Sequence, residues 1–291
     1  MSVLKSTSNG TATGNTRRFA AFPYRGGKFH LAPKLVKLLP PHRIFVEVFG
    51  GAANVLLAKP PSSIEVYNDR DGALVNLFET VRNHPLLFLE RCQFLLYSRE
   101  LYAEWSRQLD DNFQSADIDR IEAAVRTYYC MVSSFVGDPT KGWAFDRSSP
   151  GGGKGGPMRW MSVWHKIGHL SNRLRHVAID CLDFRDCIKN WDTEQTLFFC
   201  DPPYASSVSK GFYGHNFEWQ DHVDLANVLR GVKAKWLVTY DDIPAIRELY
   251  NGFQIRRISS TLASQKVAKG GTRINLRQIV ISNSPGAEKI A

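Results

Sequence analysis

Short apolar runs alternate with helix-like patterns along most of the chain. Apolar runs at 44–48 and 64–67 predict buried strands, and each is followed by apolar spacing typical of a helix, at 52–58 and up to residue 81. The alternation resumes in the last third, where strands are predicted at 177–179, 197–200, 236–240, 253–258 and 274–282, with helices near 219–232 and 243–251. This pattern predicts an α/β fold, a sheet with helices on both faces.

The strand pattern stops between residues 85 and 176. Apolar residues there recur at helical spacing, and Asp117 is a candidate N-cap for a helix running to Phe135. The N-terminal stretch is rich in Ser, Thr, Asn and Gly, a composition typical of a mobile tail. The expected organisation is a mobile tail at 1–18, an α/β core at 19–84 and 177–284, and a helical insertion at 85–176.

The composition is that of a folded globular protein with excess positive charge. Of 291 residues, 43% are hydrophobic and 22% are charged, and 37 Lys and Arg against 28 Asp and Glu give a net charge of +9. That charge favours a polyanionic partner, although only weakly. The five cysteines include no CxxC pair, which argues against a disulfide framework and against a zinc site.

The first candidate site lies where the strand at 44–48 ends. Gly50 and Gly51 follow this strand, and glycine allows a tight turn and close approach of a ligand to the backbone. The next helix is expected to offer unpaired N–H groups to an anion such as a carboxylate. Asp69 ends the following strand, where an acid commonly accepts hydrogen bonds from ribose hydroxyls. Because this turn reads FGGAAN and not GxGxxG, the residues favour an adenosine-containing ligand over NAD, with a plain turn before a helix as the alternative.

A second glycine-rich stretch, at 151–156, does not match the phosphate loop of nucleotide hydrolases. It follows no strand, and no Ser or Thr comes directly after Lys154, so the pattern GxxxxGK[ST] is not met. A basic loop is expected here instead.

The second candidate site is the tetrapeptide Asp201-Pro202-Pro203-Tyr204, directly after the apolar strand at 197–200. Its two prolines remove two backbone donors and hold the turn extended, leaving the Asp201 carboxylate and the Pro202 carbonyl as acceptors. Such acceptors can grip the N–H bonds of an exocyclic amine and localise its lone pair, while the Tyr204 ring stacks on the base. The pattern favours methyl transfer to such an amine, with no need for a metal or a nucleophilic side chain.

The motifs together resemble those of the Dam-type DNA adenine-N6 methyltransferases of the alpha order, over residues 20–282. Their order is Phe22-Pro-Tyr-Arg-Gly-Gly-Lys28, Phe49-Gly-Gly-Ala-Ala53, Asn68-Asp69, a target-recognition insertion and Asp201-Pro-Pro-Tyr204. The resemblance implies a Rossmann-like fold with a mixed seven-stranded sheet and S-adenosyl-L-methionine as cofactor. It implies the cofactor-binding residues Tyr24, Lys28, Phe49, Gly50, Gly51, Asp69, Asp183, Phe184 and Asp201. Nearby Asp180 competes for the role of Asp183.

The likeness is to compact phage or prophage members. Gly142-Trp-Ala-Phe-Asp-Arg147 stands where GATC-reading members carry a GEFN-like stretch, which leaves the recognition sequence open. Double-stranded DNA is the expected partner, with no membrane and no metal, in the cytoplasm of a bacterial or phage-infected cell. The chain is expected to be a monomer or weak dimer, and an accompanying restriction endonuclease is left open.

Two stretches, at 154–176 and 256–277, are rich in Lys and Arg and contain no acid, and they are expected to line a DNA-binding cleft. Arg173 belongs to the first stretch and Arg257 to the second. The loop at 205–217, with Phe217 near its end, is expected to be mobile until a flipped base orders it. The expected DNA-binding residues are Lys154, Arg159, Lys166, Lys210, Lys266, Lys269 and Arg273.

The amine chemistry leaves other substrates open, namely cytosine N4 in DNA and adenine in RNA. A catalytically silent DNA-binding relative is a further alternative, but the intact Lys28, Asp69 and Asp201–Tyr204 motif argue against it. Because the resemblance favours adenine in DNA, the expected activity is site-specific methylation of the N6 amine of a flipped adenine.

Overall fold

One sheet of seven strands organises the part of the chain that the computed structural model describes, residues 19–110, 119–145, 156–205, 217–261 and 275–284. The strands are β1 (Ile44–Glu47), β2 (Ile64–Asn68), β3 (Val177–Asp180), β4 (Thr196–Cys200), β5 (Lys235–Asp241), β6 (Gln254–Thr261) and β7 (Asn275–Ser282). Their order is β3-β2-β1-β4-β5-β7-β6, and β7 runs antiparallel to both β5 and β6 while the other pairs are parallel. The predicted mixed seven-stranded sheet of the α/β class is confirmed.

Most helices lie where the sequence pattern predicted them, whereas α1 and α9 were not predicted. In chain order they are α1 (Ala32–Val36), α2 (Asn54–Ala58), α3 (Gly72–Asn83), α4 (Pro85–Cys92), α5 (Arg99–Asp110), α6 (Arg120–Ser133), α7 (Gly156–Met161), α8 (Val163–Leu174), α9 (Phe184–Trp191), α10 (Trp219–Gly231) and α11 (Pro244–Leu249).

Strand β4 shows why the central strands read as continuous apolar runs. Its alternate residues Leu197 and Phe199 pack into one hydrophobic core, whereas Phe198 and Cys200 pack into a second. Successive side chains of a strand point to opposite faces of the sheet, so the two cores lie on opposite faces. All of β4 is buried, as expected for a parallel strand covered by helices on both sides.

The segment between α3 and β3 is helical, with no strand among its described residues. Its central helix α6 places Val125, Tyr128 and Val132 in the same hydrophobic core as Leu74 and Phe78 of α3. The predicted insertion therefore packs directly on the sheet-covering helices. Its division from the core at residues 85 and 176 remains a prediction.

Helices α6 and α2 differ from their predicted bounds at three ends. Helix α6 begins at Arg120 because the carboxylate of Asp119 caps it, accepting a hydrogen bond from Glu122 N at 2.8 Å; Asp117 lies outside the described residues. It ends at Ser133, before Phe135, and Val136 just beyond has φ 54°. Helix α2 begins at Asn54, after the predicted start at residue 52, because Ala53 has a left-handed φ of 53°.

Four of the five cysteines, all free thiols, are buried, and Cys181 is exposed. Within the described ranges, no helix combines the length and apolar character needed to cross a membrane. The same ranges hold no cluster of His, Cys, Asp and Glu suited to a metal ion. The predicted tail at 1–18 lies outside the described residues.

Candidate active site

A pocket lies where the carboxyl ends of β1, β2 and β4 meet. Such ends share one edge of a parallel sheet, which is where ligands bind in this class of fold. Every residue predicted to bind the cofactor lines this pocket: Tyr24, Lys28, Phe49, Gly50, Gly51, Asp69, Asp183, Phe184 and Asp201. Pro203 lines it too, so the two candidate sites are continuous.

Each glycine of the turn after β1 is required for a different reason. A Cβ on Gly50 would overlap the ring of Tyr67, which is fully buried under the turn. Gly51 has a φ of +49°, and a Cβ there would come within 2.8 Å of the Tyr24 ring. The Tyr67 hydroxyl donates to Gly51 O at 2.9 Å, which fixes the turn from below.

The start of α2 does not offer the free N–H groups that the sequence predicted. Val55 N and Leu56 N donate to the carboxylate of Glu47, at 3.3 and 2.9 Å. Burial raises the pKa of Glu47 to about 8. The helix is thus capped by a residue of the preceding strand, because Ala53 at its N-cap has no side-chain acceptor. Sequence reasoning missed Glu47; an acid inside an apolar strand was the available signal.

Asp69 is held at the end of β2 by two backbone donors. Gly51 N donates to its Oδ2 at 2.7 Å, and Asp71 N donates to its Oδ1 at 2.9 Å. Burial and the nearby charge of Asp71 raise its pKa to about 6. Because each carboxylate oxygen can accept more than one hydrogen bond, Asp69 can still accept donors from a ligand in the pocket.

Three phenylalanine rings form an aromatic cluster at the other end of the pocket. Phe49 lies 5.7 Å from both Phe184 and Phe217, and the latter two lie 5.8 Å apart, measured between ring centroids. The sequence placed Phe217 in a DNA-binding loop, whereas the structure places it in this pocket. Residues 206–216 of that predicted loop lie outside the described residues.

Asp183, and not Asp180, belongs to the pocket. Asp183 caps α9, accepting from Arg185 N at 3.0 Å, and lines the pocket beside Phe184. Asp180 is engaged elsewhere, since Trp191 Nε1 donates to its Oδ2 at 2.9 Å. Asn68 fixes the intervening backbone, because its side chain donates to Val48 O and accepts from Leu182 N, both at 2.9 Å.

The Asp201 carboxylate is held by a charged and a neutral donor. Lys28 Nζ donates to Oδ2 at 2.7 Å, and the Thr239 hydroxyl donates to Oδ1 at 2.5 Å. Burial acts to lower the pKa of Lys28, but the charges of Asp201 and Tyr204 and the hydrogen bonds to them raise it above its usual value. Lys28 therefore stays charged. Thr239 is a residue that sequence reasoning missed, because nothing in β5 marks it.

The ring of Tyr204 lies beside the same lysine. Lys28 Nζ sits 4.7 Å from the ring centroid, a cation–π distance. Burial raises the pKa of the Tyr204 hydroxyl to about 12, although the charge of Lys28 acts in the opposite direction. Pro202 is buried at the turn, and Pro203 lines the pocket. Lys28 thus joins the cofactor pocket to both ends of the Asp201–Tyr204 motif.

The predicted DNA-binding residues are only partly described. Arg159 and Lys166 lie on α7 and α8, half-buried, and no ion pair joins either to an acid among the described residues. Burial and the nearby charge of Arg159 lower the pKa of Lys166. The other predicted contacts, Lys154, Lys210, Lys266, Lys269 and Arg273, lie outside the described residues.

Two arginines of the predicted basic stretches have structural partners instead. Arg173 pairs with the buried Glu65, at 2.5 and 2.9 Å, and also donates to a backbone carbonyl. Arg257 donates to Asp242 at 2.8 Å. Both side chains therefore form ion pairs within the protein, and their contact with DNA stays a prediction.

The sheet, the glycine turn and the Asp-Pro-Pro-Tyr motif define a class of protein, the methyltransferases that methylate exocyclic amino groups. The family model for D12 class N6 adenine-specific DNA methyltransferases matches residues 24–263. The chain therefore belongs to this family. The match confirms the predicted class of enzyme, a DNA methyltransferase specific for the N6 amine of adenine.

Individual relatives are distant in sequence. The chain is 26% identical to the DNA N-6-adenine-methyltransferase of Escherichia phage P1, over 87% of this chain but only 34% of that protein. It is 21% identical to the DNA adenine methylase of Escherichia coli K12, over 92% of this chain and 96% of the relative. It is 24% identical to the Type II methyltransferase M.CviBI of Paramecium bursaria Chlorella virus NC1A, over 82% of this chain and 89% of the relative.

Among solved structures, an rRNA methyltransferase, aviRa from Streptomyces viridochromogenes, aligns over 95% of this chain and 91% of its own, with 13% identity and a TM-score of 0.37. A TM-score of that size does not by itself establish a common fold.

Proposed function

We propose that the pocket binds S-adenosyl-L-methionine and that the Asp201–Tyr204 motif holds the N6 amine of an adenine flipped out of double-stranded DNA. The observation that carries this proposal is the contact between Lys28 and Asp201 at 2.7 Å. It joins a pocket suited to an adenosine group to a set of acceptors suited to an amine.

The residues present fit the cofactor. The bound cofactor would supply an electrophilic methyl group on a sulfonium. Asp69 has carboxylate oxygens with capacity for the two ribose hydroxyls, and the rings of Phe49 and Phe184 give an apolar place for the adenine. The Tyr24 ring packs directly against the glycine turn, since a Cβ at Gly51 would come within 2.8 Å of that ring.

The acceptors of the motif would act on the amine. The nitrogen of an adenine amine is a poor nucleophile because its lone pair is delocalised into the ring. The Asp201 carboxylate and the Pro202 carbonyl would accept hydrogen bonds from the two N–H groups of the amine and so favour a localised lone pair on its nitrogen. Tyr204 would stack on the base. A hydrogen bond to a charged acceptor contributes about 1.5–3 kcal/mol, which corresponds to roughly a tenfold to hundredfold rate effect if it forms only in the transition state.

We further propose that the helical segment at 85–176 recognises the target sequence. Arg159 and Lys166 support contact of this segment with the DNA backbone, since both carry positive charge on it and pair with no acid among the described residues. Phosphate contacts of this kind position DNA without reading its sequence. Of the five predicted contacts outside the described residues, Lys154 belongs to this segment, and the proposed contacts of the α/β core are Lys210, Lys266, Lys269 and Arg273.

The decisive experiment is methylation of unmethylated DNA by the purified full chain with S-adenosyl-L-methionine, followed by nucleoside mass spectrometry. N6-methyladenine is expected from the wild type and should be lost in Asp201→Asn, which keeps the shape but removes the charge. Asp192→Asn is the matched control, because Asp192 accepts backbone hydrogen bonds at the opposite edge of the sheet. N4-methylcytosine, or no methylated base, would contradict the proposal.

A further inference from the structure

Thr239 lies directly beside Asp201 across the sheet. Strands β4 and β5 are parallel, and Cys200 is in register with Val238, so the next residues on the two strands are neighbours. Thr239 is fully buried, and its hydroxyl donates to Asp201 Oδ1 at 2.5 Å. The two residues are separated by 38 positions in the sequence and meet only because β4 and β5 are adjacent.

A hydroxyl at this place is not needed for packing. The neighbours on β5, Leu237, Val238 and Tyr240, are all buried in the hydrophobic cores. Valine matches threonine in volume but lacks the hydroxyl, so a change to valine removes the hydrogen bond while keeping the space filled. A buried hydroxyl costs free energy unless it forms a hydrogen bond, so the role of this one lies in hydrogen bonding, with Asp201 as its acceptor. The branched side chain also restricts rotation about its Cα–Cβ bond, which keeps the donor in one place.

The two oxygens of the Asp201 carboxylate have different partners. Oδ2 is bound by Lys28, and Oδ1 is bound by Thr239. With both oxygens held, the carboxylate plane has one orientation. Without the Thr239 hydroxyl, the carboxylate would be free to turn both oxygens toward the Lys28 ammonium, because that charge attracts either of them.

We propose that Thr239 is a positioning residue that fixes the Asp201 carboxylate in the orientation that receives the target amine. The inference rests on the proposed role of Asp201. The effect of Thr239 is preorganisation of the active site. Because the Asp201 carboxylate is already oriented, it needs no rearrangement when the amine binds. Thr239 does not line the pocket and acts through Asp201; its hydroxyl also has a hydrogen-bonding contact with Tyr204 of the same motif.

The test compares Thr239→Val and Thr239→Ser in the full chain. Steady-state methylation of DNA gives kcat and KM, and titration with S-adenosylhomocysteine gives affinity at the cofactor pocket. Valine is expected to lower kcat roughly ten- to hundredfold, because it removes one hydrogen bond to a charged acceptor. Cofactor affinity is expected to fall by a smaller factor, because Asp201 also lines the cofactor pocket. Serine is expected to restore most of the lost kcat, because it returns the hydroxyl.

Thr196→Val is the matched control. Thr196 is also fully buried in the sheet, and its hydroxyl donates to Trp191 O at 2.7 Å, at the start of β4 and away from the pocket. Its loss is expected to lower thermal stability without lowering kcat. If Thr239→Val does not fold, Thr239→Ala against Thr239→Ser makes the same comparison.

Three results would overturn the inference: an unchanged kcat in Thr239→Val, an equal loss in Thr239→Ser, or an equal loss in Thr196→Val. Failure of the proposed function gives a different pattern, since Asp201→Asn would then keep wild-type activity or the wild type would methylate no adenine. The Thr239 variants are therefore compared after the wild type has been shown to methylate adenine and Asp201→Asn has been shown to lose that activity.

Discussion

Gly50 can be tested by adding a single methyl group. In Gly50→Ala, the new Cβ would occupy space now filled by the Tyr67 ring. That ring cannot easily move away, because it is fully buried and packs on Phe78 with a centroid distance of 4.4 Å. The turn itself must then shift, and with it the Gly51 N–H that donates to Asp69.

The size of the effect follows from two terms. Forcing one extra carbon into a packed core costs about 1–3 kcal/mol. The hydrogen bond from the Tyr67 hydroxyl to Gly51 O, now 2.9 Å, would also be weakened, at about 0.5–1.5 kcal/mol. Together they predict a decrease of about 2–4 kcal/mol in the free energy of unfolding, with weaker binding of S-adenosylhomocysteine.

Urea unfolding gives the stability, and calorimetric titration gives the affinity. Gly72→Ala is the control, because a Cβ at Gly72 in the first turn of α3 would have no atom within 4 Å. That change is expected to stabilise by about 0.5–1 kcal/mol, because alanine loses less backbone entropy on folding.

A Tyr67→Leu background tests the cause directly. If the clash with the Tyr67 ring is responsible, removing the ring should relieve much of the cost of Gly50→Ala, giving a coupling energy of about 1 kcal/mol or more. An equal loss in both backgrounds, or a Gly50→Ala variant as stable as the wild type, would refute the reasoning.

Three further predictions concern charges at the site and on the insertion. Glu47 keeps its proton up to about pH 8 in the folded state, whereas the unfolded state loses it near pH 4.5. The free energy of unfolding of the wild type should therefore fall as the pH rises through this window, by at most about 1.4 kcal/mol per pH unit. Urea unfolding of Glu47→Gln should lack this part of the pH dependence. For Asp69, whose folded pKa is about 6, binding of S-adenosylhomocysteine should weaken as the pH falls below that value; Asp69→Asn should bind weakly at every pH, and an identical pH profile in both proteins would contradict the assignment. Replacing Arg159 and Lys166 by Ala should reduce the slope of log affinity for DNA against log salt by about 0.9 for each phosphate that these side chains neutralise; Lys235→Ala should not, since Lys235 donates to Pro41 O at the other edge of the sheet.

Much of the fold could be predicted because its signals are local. Each strand is a short apolar run, so the seven strands were predicted to within a few residues of their ends. Helices were recognised by apolar residues at helical spacing. Asp69 and Asp201 were located for the same reason, because each directly follows a predicted strand. In parallel sheets such positions share one edge, which is enough to bring them to one pocket.

Helix ends were less predictable, because they depend on single side chains and backbone angles. Helix α6 starts where Asp119 can cap it, and Asp117 was an equally good candidate in the sequence. Helix α2 starts late because Ala53 is left-handed, a conformation that alanine rarely adopts and that its identity does not signal.

The α/β class, the two motifs and their place at strand ends can be predicted from the amino-acid order, because hydrophobic periodicity and turn chemistry act over a few neighbouring residues. Which side chains meet depends on how the whole chain packs. Glu47 caps a helix, Arg173 pairs with Glu65, and Thr239 reaches Asp201. These contacts follow from the order of strands in the sheet and from how the helices pack on it, which no local pattern encodes. The same packing brought Lys28 to Asp201 across 173 residues of sequence and so made one site of two motifs.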